Sequence, residues 1–527
     1  MAVIEPTPEL LTDYETLPGP DEMFAPDGSV RPAYAHFADR LVSWNAQTIE
    51  GRQQRADLDL LNSGITFTVY RDEEGTERIF PFSLIPRIIA AAEWRTVERG
   101  LTQRVRALNA FLADIYHEQR CVSDGVIPAS VLFDAPGFTL RMVGFRPPLG
   151  VYVHIAGSDL IRDQQGQFRV LEDNVRTPSG VSYVLENRRI MLNTVPDLFE
   201  RAVAPVSDYP ERLLDMLIDV RPDNIGRDEA RAVVLTPGAY NSAYFEHSYL
   251  AQQMGIPLVE GRDLIVHDNL VYLRETTGLE RIHVIYRRVD DEFLDPLAFR
   301  PDSVLGVAGL ADAYRSGNVT LVNALGTGVA DDKVVYRFVP DFIRYYLGEE
   351  PIMPNIDTYV GALDEDLEFM CGNLGDLVVK PASASGGYGI VIGPQASAAQ
   401  LRELEATVRA DPRGWIAQPL QEFSTIPTYQ QGRLRARRAD LRPFALTGAN
   451  TWVVPGGLTR VALVEGSYVV NSSQGGGSKD TWILRGDTPE SEQAADEDPA
   501  ESTADRDTRA FTSGTLTSGP AAVAGAG

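Results

Sequence analysis

Residues 377–392 read Leu-Val-Val-Lys-Pro-Ala-Ser-Ala-Ser-Gly-Gly-Tyr-Gly-Ile-Val-Ile. Two short apolar runs rich in β-branched residues bracket a stretch of small residues and glycines. Runs this short and this close together bury their apolar faces by pairing as strands, and the stretch without bulky side chains becomes the loop between them. Such a loop exposes backbone N–H groups that can cradle phosphate oxygens, while Lys380 adds a point charge from the strand. The lysine precedes the glycines and sits on a strand, so this is not a Walker A loop. The plain alternative is a hairpin carrying a solvated lysine.

Only Lys333, Lys380 and Lys479 are lysines among the 48 basic residues; the rest are arginine. A GC-rich genome produces such an imbalance. Under that pressure solvated lysines drift to arginine, whereas a compact ammonium that must fit a phosphate has no substitute in a planar fork. All three lie beside glycine-rich loops. Lys333 ends Gly-Thr-Gly-Val-Ala-Asp-Asp-Lys, and Lys479 follows Gln-Gly-Gly-Gly-Ser. The loop before Lys479 reads either as a flap closing over a phosphate or acyl phosphate, or as a linker into the tail. Trp482 and Ile483 favour a return to the core.

Three further segments carry chemistry. Val170-Leu-Glu-Asp-Asn reads as a return strand, which places Glu172 and Asn174 on one face and Asp173 on the other. Asp159, on the partner strand, can reach the first face. Two carboxylates and an amide oxygen suit Mg²⁺, which takes few protein ligands beside nucleotide phosphates. A polar hairpin tip with capping acids is the alternative. Trp415-Ile-Ala-Gln-Pro-Leu-Gln-Glu-Phe is a strand whose backbone, around Gln418, can run along an adenine edge, or is simply core. Arg442, in Asp440-Leu-Arg-Pro-Phe, can grip a phosphate or carboxylate bidentately, or cover a surface. Six histidines and no Gly-x-Ser-x-Gly elbow give little support to Ser/His catalysis.

Composition bounds the rest. A chain of 527 residues exceeds one ordinary core. A net charge of −26 argues against nucleic-acid binding and against anionic membranes. Two distant cysteines, Cys121 and Cys371, make neither a disulfide framework nor a zinc site. The N-terminus has no signal-peptide pattern, and no apolar run is long enough to span a bilayer, so a cytoplasmic location is expected. Residues 1–30 and 486–527 read as disordered, the second as an acidic tail. Residues 31–150 read as mainly helical: one helix from Tyr34 to Asn62, a hairpin from Ile65, and one or two helices over Ile85–Ile115. Val151–Ala156 and Phe168–Asn174 read as paired strands. Arg231–Gly238, a helix over 244–254 and the strand after Gly255 make one β-α-β unit of a Rossmann-like layer, which lacks Gly-x-Gly-x-x-Gly.

Together these segments resemble the ATP-grasp superfamily, and most closely its circularly permuted type 2 branch. Val170-Leu-Glu-Asp-Asn-Val-Arg-Thr-Pro-Ser-Gly-Val-Ser-Tyr, Gly326-Thr-Gly-Val-Ala-Asp-Asp-Lys, Val379-Lys-Pro-Ala-Ser-Ala-Ser-Gly-Gly-Tyr-Gly and Asn471-Ser-Ser-Gln-Gly-Gly-Gly-Ser-Lys-Asp carry the resemblance. In ordinary ATP-grasp enzymes the two lysines come first and the metal-binding Glu and Asn come near the end; here the order is reversed. Glutathionylspermidine-synthase-like ligases are more distantly similar. The resemblance implies an α+β / α/β circularly permuted ATP-grasp fold. Its parts would be a helical N-terminal region, a Mg²⁺-binding hairpin at 151–200, a Rossmann-like layer at 230–330 and nucleotide-binding subdomains at 331–485. It implies ATP phosphates on Lys333 and Lys380, a phosphate lid from Ser385 through Gly386 and Gly387 to Gly389, adenine along Ile416–Leu420 with Gln418, and Mg²⁺ at Asp159, Glu172 and Asn174. Arg442, Lys479 and Arg176 are the expected catalytic groups, with Arg287 and Arg288 as further candidates for a substrate carboxylate. The implied activity joins a carboxylate to an amine through an acyl phosphate. Peptide or protein substrates and α-helical or transglutaminase-like partner proteins follow from the same resemblance. A phosphotransferase and a nucleotide-binding scaffold without turnover are the competing readings.

Overall fold

The structure, a computed structural model, describes residues 14–486 apart from 42, 70–75, 80, 200–202, 384–388, 469 and 471–475. The expected acidic tail lies outside these. Residues 14–30, expected to be disordered, are instead held by buried acids. Asp21 accepts hydrogen bonds from the backbone N–H of Met23 and Phe24 at 2.9 Å each, and from Thr425 Oγ1 at 2.9 Å, 404 residues downstream. Arg87 Nε donates to Glu22 at 2.8 Å, both side chains buried. A composition rich in proline and acid reads as disorder when its partners lie most of a chain away. The helix expected over Tyr34–Asn62 is two helices, Ala35–Leu41 and Ala46–Asn62. Asn45 separates them as an N-cap, accepting from Thr48 N at 2.8 Å. The hairpin after Ile65 pairs Thr66–Val69 with Thr76–Ile79. One long helix, Ala91–Ile115, buries Trp94, Leu101, Val105, Leu108, Phe111 and Ile115 along its apolar face; Ile89 belongs to the strand before it.

Three sheets position the cleft. The central, eight-stranded sheet runs Thr451–Val453, Phe444–Thr447, Ile155–Arg162, Arg433–Arg442, Leu458–Val461, Gly477–Lys479. Phe168–Asn174 pairs with Ile155–Arg162 to form an acid-bearing hairpin, and Thr425–Gln430 pairs with Arg433–Arg442. The first hairpin strand starts at Ile155 rather than Val151. The amides of Tyr152 and Val153 are taken by Asn109 Oδ1 at 2.8 and 2.9 Å, not by a neighbouring strand.

The second sheet is the Rossmann-like layer, with all strands parallel in the order Thr320–Val322, Val284–Arg287, Ala232–Leu235, Leu258–Val259. The helix Tyr244–Met254 makes the crossover of the expected β-α-β unit. The third sheet is antiparallel and runs Tyr359–Val360, Trp415–Pro419, Leu377–Pro381, Val391–Ile392. Alternation along Leu377–Pro381 buries Leu377 and Val379 and turns Val378 and Lys380 the other way. Leu377 and Val379 share a small core with Met370 and Leu374 on one side and Leu404 and Val408 of helix Ala398–Ala410 on the other. A much larger core runs without a break from helix Ala91–Ile115 through the acid hairpin into the parallel sheet. The positions expected as divisions at 150 and 330 fall inside this core, and the one at 200 inside a second, with Val195, Leu198, Val206 and Tyr209.

Candidate nucleotide and metal site

In the acid hairpin Asp159 stands directly opposite Glu172, and Gly157 opposite Asn174. Cross-strand partners share a face, so Asp159, Glu172 and Asn174 line one side. Asp173 faces away, where Arg104 Nε donates to both its oxygens at 2.8 Å and Ser158 Oγ to one at 2.8 Å. The face is dense with charge. Arg442 grips Asp159 with two hydrogen bonds, Nε to Oδ1 at 2.5 Å and Nη2 to Oδ2 at 2.8 Å. Arg460 Nη2 reaches Asp159 Oδ2 at 2.7 Å, and its Nε reaches Asp440 at 3.0 Å. Burial alone would raise the Asp159 pKa; Arg442 and Arg460 hold it well below the usual carboxylate range. Burial and the neighbouring Asp159 push Glu172 up instead, opposed by Lys333 and Arg442. Gly157 makes room for this pairing, because a Cβ there would meet Phe444 and Pro178 at 3.3 Å and the Arg442 side chain at 3.4 Å.

The lysines come from two other elements. Lys333 opens the short helix Lys333–Tyr336, with its Nζ 4.0 Å from Glu172 Oε2. The two aspartates before it set its place. Asp331 accepts the backbone N–H of Val175 at 2.6 Å, and Asp332 caps Val334 N at 2.7 Å while taking Arg413 Nη2 at 2.8 Å. The loop before them crosses Gly137 so closely that a Cβ on Gly137 would lie 2.1 Å from the carbonyl carbon of Gly328. Lys380 approaches from the third sheet and donates to Gln418 Oε1 at 2.6 Å. Burial lowers its pKa to about 8, with Glu172 pulling it up and Lys333 pushing it down.

These groups converge on one cleft of about 850 Å³. Asp159, Glu172, Asn174, Arg176, Lys333, Lys380, Gln418 and Arg442 all line it, as do Pro419 and Leu420 of the strand expected to meet adenine. Arg176 lies 3.5 Å from Asp290 and 3.7 Å from Asp331 with its side chain 37% exposed. Lys479 is not among the cleft's groups. It is fully buried, and its Nζ donates to Ser83 Oγ, Ile85 O and Pro427 O at 3.0, 2.8 and 2.7 Å, so the catalytic expectation for it gives way to three core acceptors. Ser385, Gly386 and Gly387 lie outside the described residues, and Gly389 is not part of the cleft wall. Arg287 also differs from expectation, whereas Arg288 lines the cleft. Arg287 is fully buried on the carbonyls of Asn323, Val289 and Ala324. Arg288 binds the carbonyl of Pro178 at 2.7 Å and Glu246 at 3.2 Å.

Several residues that build the site escaped the sequence reading. Asn323, at the end of the parallel sheet, accepts from His154 N and Ile155 N at 2.7 Å and donates to the carbonyls of Ile155, Val175 and Arg176 at 2.8, 3.0 and 3.2 Å. It ties both ends of the acid hairpin to the Rossmann-like layer. Glu246 accepts from Gly180 N at 2.7 Å and Ser182 N at 3.1 Å, capping helix Val181–Thr194. Arg460 had no signal beyond alternating on its strand. The pair Asp331-Asp332 was visible beside Lys333 and could have been read as its anchor.

The donor set fits Mg²⁺. Glu172, with its side chain 30% exposed, and Asn174 present oxygens two residues apart on a rigid strand, and the buried Asn174 amide nitrogen has no hydrogen-bond partner to lock the group. Asp159 is spent on two arginines, which leaves Glu172 and Asn174 as the residues able to hold the ion beside nucleotide phosphates. Among the described residues no group of three or more His, Cys, Asp or Glu forms an alternative metal site, and no helix is long and apolar enough to cross a membrane.

A carboxylate–amide face met by two lysines between a β-rich body and a Rossmann-like layer defines an ATP-grasp protein. The chain belongs to the circularly permuted ATP-grasp type 2 family, which residues 86–462 match. An uncharacterized protein of Synechocystis is 51% identical over 470 residues, 89% of this chain and 97% of that protein. A Mycobacterium tuberculosis protein, also uncharacterized, is 53% identical over 466 residues, 88% of this chain and 84% of that protein. A longer Frankia alni protein, provisionally named a glutamate–cysteine ligase, is 43% identical over 480 residues, which cover 91% of this chain and 55% of the Frankia protein. Among solved structures, a glutathione synthetase-like effector from Globodera pallida matches with a TM-score of 0.53 at 12% identity, over 84% of this chain and 98% of the effector. At that identity the likeness concerns the fold.

Proposed function

We propose that this chain is an ATP- and Mg²⁺-dependent ligase that joins a carboxylate to an amine and releases ADP. The observation that carries the reading is the approach of Lys333 and Lys380, from separate elements, to the face of Glu172 and Asn174 in a single cleft. Lys333 and Lys380 would neutralise phosphate charge, and Gln418 to Leu420 would flank the base. Bound Mg²⁺ would supply further neutralisation of the transferring phosphoryl group. Arg176, at the cleft wall, would hold the carboxylate that accepts the phosphoryl group. The γ-phosphoryl moves to a carboxylate oxygen and ADP departs. The amine nitrogen then attacks the acyl carbon, the C–N bond forms, phosphate leaves and the nitrogen loses a proton. Fixed charges around the cleft suit this sequence. The Frankia relative's name is that of a carboxylate–amine ligase, which supports the class. The acceptor in this reading is a peptide or protein.

The test is to incubate the protein with ATP, Mg²⁺ and a cell extract in which hydroxylamine replaces the amine. ADP together with an equal amount of a new acyl hydroxamate, identified by mass spectrometry, is the expected outcome. A phosphorylated product with no hydroxamate, or release of AMP and pyrophosphate, would contradict the proposal.

A further inference from the structure

The antiparallel sheet that carries Lys380 contains a row of polar side chains on its cleft face. Val378 pairs with Gln418 across the sheet, so Gln418 shares a face with Val378 and, two residues on, with Lys380. Tyr359 pairs with Ala417, which sets Thr358 beside Gln418 at the sheet edge. The hydrogen bonds run one way along this row. Thr358 Oγ1 donates its only hydrogen to the carbonyl of Ile356 at 2.8 Å, so toward Gln418 it can only accept. Gln418 Nε2 donates to it at 3.0 Å. The amide oxygen must then point the other way, where it receives Lys380 Nζ at 2.6 Å. Both Thr358 and Gln418 are buried, so neither can exchange its partner for water. The network itself settles which end of the amide meets the ammonium.

We propose that Thr358 and Gln418 are positioning residues: Thr358 fixes the Gln418 amide so that it always presents an acceptor, and that acceptor aims the Lys380 ammonium into the cleft. The purpose of the aim rests on the nucleotide reading above; the geometry does not. Turned the other way, the amide would point an NH₂ group at an ammonium in a poorly solvated site. The other charges acting on Lys380 are Glu172 and Asp159 on the acid hairpin and Lys333 on its short helix.

Three lysines in the whole chain make the test tractable. With ¹³Cε-lysine in the full-length protein and no nucleotide, each lysine gives one resonance, assigned by single Lys→Arg variants. Gln418→Glu is expected to raise the Lys380 titration midpoint by about one pH unit or more, as an added carboxylate within hydrogen-bond reach does. Thr358→Val is expected to lower the midpoint, and Thr358→Ser, which keeps the hydroxyl, to leave it as in wild type. In a second arm, calorimetry should find Mg·ATP bound about tenfold more weakly by Thr358→Val and normally by Thr358→Ser. A wild-type Lys380 midpoint in either folded Thr358→Val or folded Gln418→Glu overturns the proposal. A wild-type protein that binds no ATP would remove the proposed function, while the titration arm would still decide whether the pair positions Lys380.

Discussion

Lys479 is fully buried and Lys380 half-buried, both beside glycines, and their surroundings separate them. Lys479 has three neutral acceptors and sits in the core. Lys380 has one acceptor and shares its cleft with Glu172, Asp159 and Lys333. The sequence pattern could not tell them apart, because both lie on short strands next to small residues and only the packing partner differs. Alternation along Leu377–Pro381 turns Lys380 away from the small core that buries Leu377 and Val379. Its burial has a consequence for pH. With a free-protein pKa of about 8, it is charged below that value and neutral above it. A phosphate needs the charged form, so Mg·ATP affinity is expected to be highest below about pH 8 and to fall as the pH rises through it. Calorimetry at pH 7 and pH 9 checks this, and the lysine should take up a proton on binding at the higher pH. Glu172 gives a second expectation. Glu172→Gln should cut the strengthening of ATP binding by Mg²⁺ about tenfold or more, while metal-free ATP binds no more weakly than in wild type. Titrations with and without Mg²⁺ measure both quantities.

At the scale of elements, the acid hairpin shows where sequence reading succeeds and where it stops. Period-two alternation on Phe168–Asn174 set Glu172 and Asn174 on one face and Asp173 on the other, as found. The arginines that neutralise Asp159 come from strands 283 and 301 residues away, and no local pattern announces them. The same holds for Asn323, whose single amide joins the hairpin to the parallel sheet through five hydrogen bonds. Asn323→Ala would leave the His154 and Ile155 amides buried without acceptors, at a cost of about 1–3 kcal/mol each. A lower denaturation midpoint for the variant is the expected result. An unchanged midpoint would mean the hairpin does not depend on this clamp.

At the scale of the molecule, the permuted order of segments was legible before any geometry, because the acid strand precedes both Lys333 and Lys380 along the chain. The shared core was not. Helix Ala91–Ile115, read only as part of a helical N-terminal region, packs in the same apolar cluster as the acid hairpin and the parallel sheet. The small sheet carrying Lys380 has a core of its own around Leu377, Val379 and Ala417, while its Val360 and Ile416 belong to the larger cluster. A nucleotide that touches Lys380 on one side and Lys333 beside Glu172 on the other would therefore bridge two cores. Mg·ATP at a hundred times its Kd is expected to stabilise the protein by about 2.7 kcal/mol, seen as a rise in melting temperature. The rise should shrink when either lysine is replaced. The central claim is that this cleft is the nucleotide site and that Lys380 meets its phosphates. Calorimetric titration of Mg·ATP into wild type and Lys380→Met, each confirmed folded, tests it most directly. The account predicts binding by wild type and a loss of about 1–3 kcal/mol in the variant; equal affinity in the two proteins would contradict it.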